Sequence, residues 1–312
     1  MPAVHVPVLR DRVVAWLAPT APGLVIDATV GLGGHAAALL AASPDLQLVG
    51  FDRDPEAIEH ARQRLRPYSD RVRLVNRPFA DIVPVLSELG APAPVAVLAD
   101  LGCSSLQLDS AGRGFSFQND GPLDMRMGAG GRTAADLVAL ASEGELMHLL
   151  RDFGEERKAR RVARAIVAAR AEKPIRTTGE LARVVSRAVG PHSQRRIHPA
   201  TRTFQALRIA VNDELDQLQT FVEPAARCLA EGGRIAVISF HSLEDRIVKH
   251  GLRSLEGRCV CPPELPVCTC EPERVVKVLT PRPERPNADE IEQNPRARSA
   301  RLRVAERVMG SG

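Results

Sequence analysis

The sequence predicts an α/β protein: a parallel sheet flanked by helices, into which a separate all-helical domain is inserted. Three observations lead there. Short β-branched apolar runs alternate with helical patterns through the first hundred residues, the rhythm of βαβ units. That rhythm then stops. Residues 101–132 are rich in Gly, Ser and Asp, and residues 133–190 carry helical patterns only. Beyond residue 199 strand and helix patterns return. The expected organisation is an α/β part over 1–107, a loop plus basic helical insertion over 108–198, and the rest of the α/β part over 199–312.

The elements follow in order. "LVIDA" (24–28), "LQLVGF" (46–51), "VRLV" (72–75) and "VAVLAD" (95–100) read as strands. "HAAALLAA" and "PEAIEHARQRL" read as helices, the second with Asp54 as N-cap and Pro55 at the first helical position. In "RKARRVARAIVAAR", Val162, Ala165, Ile166 and Ala169 form an apolar stripe, and Arg157, Arg161 and Arg164 form another face. "TRTFQALRIAVNDELDQL" puts Phe204, Leu207, Val211, Leu215 and Leu218 on one helical face. "GGRIAVISF" (232–240) is a strand and "SLEDRIVKHGL" a helix, with Ser242 and Asp245 in the S-x-x-D capping pattern. "VVKVLT" (275–280) and "ARLRVAE" (300–306) are further strand candidates.

Composition narrows the function classes. A hydrophobic share of 44% in 312 residues supports a sizeable core. The start, "MPAVHVPVLRDR", has prolines and charges where a secretion signal needs an apolar stretch. No apolar run nears the roughly 20 residues that span a bilayer. A soluble, cytoplasmic protein without a membrane partner is expected. The net charge is +4, but residues 151–210 hold fifteen Lys/Arg against five Asp/Glu, a net +10, leaving −6 on the rest. Such a block fits a polyanionic partner, or a solvated helical face. Four of the six cysteines, Cys259, Cys261, Cys268 and Cys270, lie in a C-x-C-x6-C-x-C segment. Four thiolates in a short turn can bind zinc tetrahedrally, but C-x-C is a less typical spacing than C-x-x-C, and a loop of reduced or oxidation-prone cysteines is the favoured reading. No metal is assigned to the expected site.

The most informative stretch is "VIDATVGLGGHAAALL" (25–40), a strand, a glycine turn and a helix. Glycines there let a ligand approach the backbone and let the helix pack close to the strand. "GLGGHA" suits a dinucleotide, S-adenosylmethionine (SAM), or a tight turn without a ligand. His35 opens the helix, as ligand contact, cap or packing residue. Asp52 ends the second strand, 19 residues past Gly33, where a carboxylate accepts both hydroxyls of a ribose. Phe79, just past the third strand, offers a ring for adenine or for the core. "ADLGCSSLQLD" after the fourth strand places an acid and small polar residues where open α/β sheets do their chemistry.

Taken together, "HVPVL" (5–9), "DATVGLGGH" (27–35), "DRDPEAI" (52–58), "DLGCSSLQLD" (100–109), "RGFSFQNDGPLDMRM" (113–127), "FGEERKARRVARAI" (153–166), "HPATRTFQALRIAVNDEL" (198–215), "ISFHSLEDRIVK" (238–249) and "NPRARSARLRVAER" (294–307) resemble, almost end to end, the bacterial ribosomal RNA small-subunit methyltransferase H family. The resemblance implies a Rossmann-like class I SAM-dependent methyltransferase sheet. It implies methylation of N4 of a cytidine in the decoding region of 16S rRNA, within the small ribosomal subunit, by a monomer or homodimer. Carried over position by position, Gly33, Gly34, His35, Asp52, Phe79, Asp100 and Gln107 are the cofactor-binding residues; the expected catalytic acceptor for the amine hydrogens is Asp100, or a backbone carbonyl of residues 101–103. Some members of the family lack the cysteine segment, so it does not carry the chemistry.

Several expectations attach to that reading. Phe115 or Phe117, in the 113–127 loop, would stack on an extruded base, or anchor the loop. Arg126 and the Arg157–Arg164 face would meet phosphates. His241 would lie near the base, and His198 would start a helix. Cys103 would be a small packing residue. The rival classes are an NAD-dependent oxidoreductase, a non-catalytic RNA-binding protein, and the same chemistry on a DNA or protein amine.

Overall fold

A computed structural model describes residues 6–190, 198–257 and 273–308. The described chain forms two compact units, one of residues 1–102 with 215–312 and one of residues 103–214. The boundaries expected from the sequence are 107/108 and 198/199. The helix Thr201–Asn212 belongs to the helical unit because Phe204, Ala206 and Leu207 are buried in its core.

The first unit is built on a seven-stranded sheet: β1 (Gly23–Asp27), β2 (Leu46–Phe51), β3 (Val72–Val75), β4 (Ala96–Asp100), β5 (Arg234–Ser239), β6 (Val276–Val278) and β7 (Arg301–Arg307), in the order β3-β2-β1-β4-β5-β7-β6. The first five strands run parallel, while β7 pairs antiparallel with both β5 and β6. Alternation along each strand feeds two cores, one on each face. On one face Ile26, Phe51, Val97 and Val237 pack on the helices Ile82–Glu88, Glu214–Arg227 and Ser242–Leu255. On the other, Val25, Leu48, Leu98 and Ile238 pack on Arg10–Leu17, Gly34–Ala42 and Pro55–Arg64. Burial on both faces explains why these strands read as unbroken apolar runs. This is the doubly wound, Rossmann-like arrangement expected of a class I methyltransferase sheet.

The second unit is helical, with a core running from Phe115 and Leu123 through Leu146, Val162, Ile166 and Leu181 to Leu207. Its long connection between the helices Ser105–Asp109 and Ala134–Leu140 is irregular but tied down. The Met125 N–H donates to the Arg113 carbonyl (3.0 Å) and the Leu123 N–H to the Arg176 carbonyl (2.9 Å). Buried Asn212 accepts from the Met127 N–H (2.8 Å) and donates to the Met125 carbonyl (2.7 Å). Phe115 is buried in the helical core, and Phe117 stacks on His198 (4.5 Å) and meets Phe204 edge-on. Both rings therefore anchor the loop. His198 does start a helix, its Nδ1 accepting the Ala200 N–H one residue before Thr201.

Two local expectations are corrected. The pattern over 201–218 is not one helix. The chain breaks at Asp213, which adopts φ 51° and ψ 37°, and a new helix starts at Glu214. An aspartate tolerates that left-handed conformation because its short side chain bonds locally. The cap before the last long helix is His241, not Ser242. His241 has extended backbone, and Glu244 is its reciprocal partner. Asp245 instead takes Arg303 (2.7 Å) and Arg301 (3.1 Å) from β7. Among the described residues no helix is long and apolar enough to cross a membrane. Cys259, Cys261, Cys268 and Cys270 lie outside the described residues.

Candidate functional site

The carboxyl ends of β1, β2 and β4 present three acids in a row. Asp27 closes β1, Asp52 follows β2 and Asp100 closes β4. The parallel register sets them side by side, with Asp27 opposite both Gly50 and Leu98.

The turn after β1 is stitched to its neighbours. The Ala28 N–H reaches the Leu98 carbonyl (2.8 Å) and the Val30 N–H the Phe51 carbonyl (2.7 Å). Thr29 Oγ1 accepts the Asp100 N–H at 2.7 Å, locking the backbone of that acid. The Gly31 N–H donates to Asp52 Oδ2 (3.0 Å), and the Asp54 N–H to Asp52 Oδ1 (2.9 Å). Each Asp52 oxygen keeps a lone pair for a further donor.

The glycines divide by role. Gly33 has φ +73°, and a Cβ there would press on Leu65 and Ala61. A Cβ on Gly34 would sit 2.5 Å from Pro7 Cγ. Close packing thus already demands glycine at both. Gly31, with φ +50°, has only the Thr29 oxygen (3.8 Å) near its missing Cβ. It is the turn's open position, and reasoning from the sequence passed over it for the Gly-Gly pair. Gly34→Ala is expected to displace the segment around Pro7 and destabilise the protein by about 1–3 kcal/mol, the usual cost of overpacking. Urea denaturation of the two proteins measures it; an unchanged midpoint would refute it.

The electrostatics of the row are unusual. Burial pushes the Asp27 carboxyl up to about 7, against the pull of His35 and the Thr29 N–H. Burial also raises Asp52 to about 6, although the Asp54 and Gly31 N–H groups favour its ionised form. His35 is buried, with Nε2 3.5 Å from Asp100 Oδ2. Neither ring nitrogen of His35 has a hydrogen-bond partner among the described residues, and buried Asp100 Oδ1 has none either. Both raised carboxyls bind protons more tightly in the native state than in the unfolded one, where Asp titrates near 3.9. Their stabilising contribution is therefore full below about pH 4 and lost as pH rises through about 6 to 7. Asp27→Asn keeps the acceptor for Thr29 and never ionises. Its stability relative to wild type should rise from pH 5 to pH 8 in urea titrations, and a constant difference would refute the shift.

Phe79 is half-buried, its ring edge-to-face with Phe221 at 4.9 Å, so one side belongs to the core. Gln107 lies in the helical unit, where it forms a capping box with Ser104. The ring of His241 caps its own helix through Nδ1, while buried Nε2 makes no hydrogen bond among the described residues. Nδ1 accepts the Glu244 N–H, and Nε2 lies 3.1 Å from the Glu244 carboxylate. Arg126 is held in a fork by Asp124 (2.8 and 2.7 Å). Arg157, Arg160, Arg161 and Arg164 are exposed on the helix Ala159–Glu172 and the turn before it. Cys103 packs against the helical core and accepts from Arg208 Nη1 (3.1 Å).

The model of the MraW methylase family matches residues 2–308. A protein of Geotalea uraniireducens named Ribosomal RNA small subunit methyltransferase H is 52% identical over 307 residues, covering 97% of this chain and 98% of its own. One of the same name from Citrifermentans bemidjiense is 50% identical with the same coverage. Among solved structures, an rRNA methylase from Streptococcus thermophilus aligns over 96% of this chain and 94% of its own at 12% identity, with a TM-score of 0.42.

Proposed function

The chain belongs to the MraW methylase family, a methyltransferase that draws on S-adenosylmethionine, and from that premise we propose that it methylates ribosomal RNA at N4 of a cytidine in the decoding region of the 16S molecule. The observation that carries the substrate is full-length likeness, at 52% identity, to a relative named for the small ribosomal subunit. The cytoplasm, where ribosomal subunits are, is the proposed place of action.

The residues present fit the cofactor. A nucleoside needs paired acceptors for its ribose, and Asp52 has a free lone pair on each oxygen. It needs a backbone without side chains, and Gly31 supplies open space. It benefits from a flat apolar neighbour, and Phe79 has one side free of the core. Gly33, Gly34 and His35 hold the turn, and Gln107 is assigned to the methionine end. When bound, the cofactor supplies an electrophilic methyl carbon on a positively charged sulfur.

The remaining chemistry falls to this chain and the RNA. The N4 lone pair is delocalised into the cytosine ring, so the amine is a weak nucleophile. A carboxylate accepting its hydrogen favours the tetrahedral nitrogen that attacks, and Asp100 is the acid placed at the strand end for it. As the amine gains its methyl group, Asp100 would take the amine's proton and pass it to solvent, while the bound cofactor would supply the methyl carbon and keep the electron pair of the bond it gives up. The reacting amine must be held in a near-attack orientation. The base must therefore leave its stack, at a cost of a few kcal/mol that is smaller for an unpaired nucleotide. The exposed arginines of 157–164 contact phosphates, which positions RNA without reading its sequence.

The test is methyl-labelled S-adenosylmethionine incubated with small ribosomal subunits that lack the modification, followed by nuclease digestion and mass spectrometry. Label in N4-methylcytidine at one site supports the proposal. Label in another base, or only in protein or DNA, overturns it.

A further inference from the structure

Among the acids and the turn residues, one ring has been given a place in the turn but no part in the proton transfer. The His35 imidazole is 6% exposed, and neither of its nitrogens makes a hydrogen bond to the described residues. A buried imidazole left so loses its bonds to water without replacement, which costs free energy. It is also flanked by carboxylates from two strands. Asp27, 1% exposed at the end of β1, acts electrostatically on it, and Asp100 at the end of β4 places Oδ2 3.5 Å from Nε2. Its own helix, Gly34–Ala42, carries no other charged residue, and Asp52 is a further carboxylate acting on Asp27. A core histidine kept for packing needs no such acids. A side chain kept only to open the helix would bond the helix's free N–H groups, and this one bonds none.

We infer that His35 is a positioning residue for Asp100: its Nε2–H is directed at Oδ2 and fixes the carboxylate that receives the amine hydrogen. The backbone of Asp100 is already fixed by Thr29, so the side-chain rotation is the freedom left to remove. The 3.5 Å separation closes to a charge-assisted hydrogen bond when cofactor and base fill the site. The inference rests on the assignment of Asp100 made above.

The test is a double-mutant cycle of His35→Gln and Asp100→Asn, read by single-turnover methylation of undermethylated small subunits and by calorimetric titration with S-adenosylmethionine. Glutamine keeps an N–H donor on a differently shaped side chain; His35→Leu removes the donor. Expected for His35→Gln is a rate 5- to 50-fold lower at saturating cofactor, with cofactor Kd within 3-fold of wild type. Expected for His35→Leu is a larger loss of rate. In the Asp100→Asn background neither substitution should lower the rate further. If His35→Gln raises Kd and leaves the saturating rate unchanged, His35 is a cofactor contact only and the inference fails. If its effect persists undiminished in Asp100→Asn, it does not act through Asp100 and the inference also fails. Failure of the parent assignment looks different: Asp100→Asn itself would then methylate at the wild-type rate. Should His35→Leu not fold, His35→Gln decides alone.

Discussion

Asp100→Ala lowers the single-turnover rate of methyl transfer by about 10²- to 10⁴-fold, the range for removing a positioned proton acceptor. The fold should not suffer with it. The strand end is held through the Asp100 backbone N–H, which keeps its bond to Thr29 Oγ1 whatever the side chain. The carboxylate burdens its surroundings, since Asp100 is one of the groups raising the pKa of Asp27. Thermal denaturation is therefore expected to show an equal or higher midpoint alongside the collapse in rate. A variant that methylates normally would sink the assignment. One that is inactive because it is unfolded would sink the argument about the backbone.

Asp52→Asn weakens S-adenosylmethionine by about 10- to 100-fold, the value of one or two hydrogen bonds to a charged acceptor. The substitution looks mild and is not. Both carboxylate oxygens already accept backbone N–H groups, from Gly31 and Asp54. An asparagine must turn its NH2 toward one of those donors, so either the turn or the next helix's approach loses its anchor. The wild-type affinity should also depend on pH. Ribose hydroxyls bond best to the ionised form, and Asp52 titrates near 6. Kd is expected to rise as pH falls from 7.5 to 5.5, and this dependence should vanish in Asp52→Asn. A flat wild-type profile would show that Asp52 is not the ribose acceptor.

How much of this was legible in the sequence depends on what each feature needs. All seven strands were visible, because burial on both sheet faces leaves long apolar runs. "VAVLAD" loses one residue at its start, and "LVIDA" and "ARLRVAE" are each displaced by one residue, the first towards the N-terminus and the second towards the C-terminus. The break at Asp213 was hidden because the apolar spacing of Val211, Leu215 and Leu218 continues across it. Only the left-handed backbone of one residue interrupts it, and the pattern carries no trace of that. The His241–Glu244 cap was missed because Ser242 and Asp245 match the same spacing one residue later. The site divides likewise. Asp52 and Asp100 follow from where strands end. Packing alone explains Gly33 and Gly34 in ways a motif cannot show, and the openness of Gly31 needs the positions of its neighbours. The burial of His35 between acids from two different strands is a long-range fact, with no local signature at all.

The order of the strands has a consequence for synthesis. β4 pairs with β5 in register Asp100 to Ile238, yet all of residues 103–214 are made between them. The helical unit is one uninterrupted segment, so its core can assemble as soon as it leaves the ribosome. The sheet must instead wait with β4 as an open edge until β5, and finally β7, are delivered. Nascent chains fold in the order in which units become complete, and here the unit that starts first finishes last. An exposed strand edge is a site for mispairing with other chains, so the long wait at β4 is the interval in which this protein most needs protection. Stabilising the insertion would shorten neither the wait nor the exposure, whereas a slower ribosome would lengthen both.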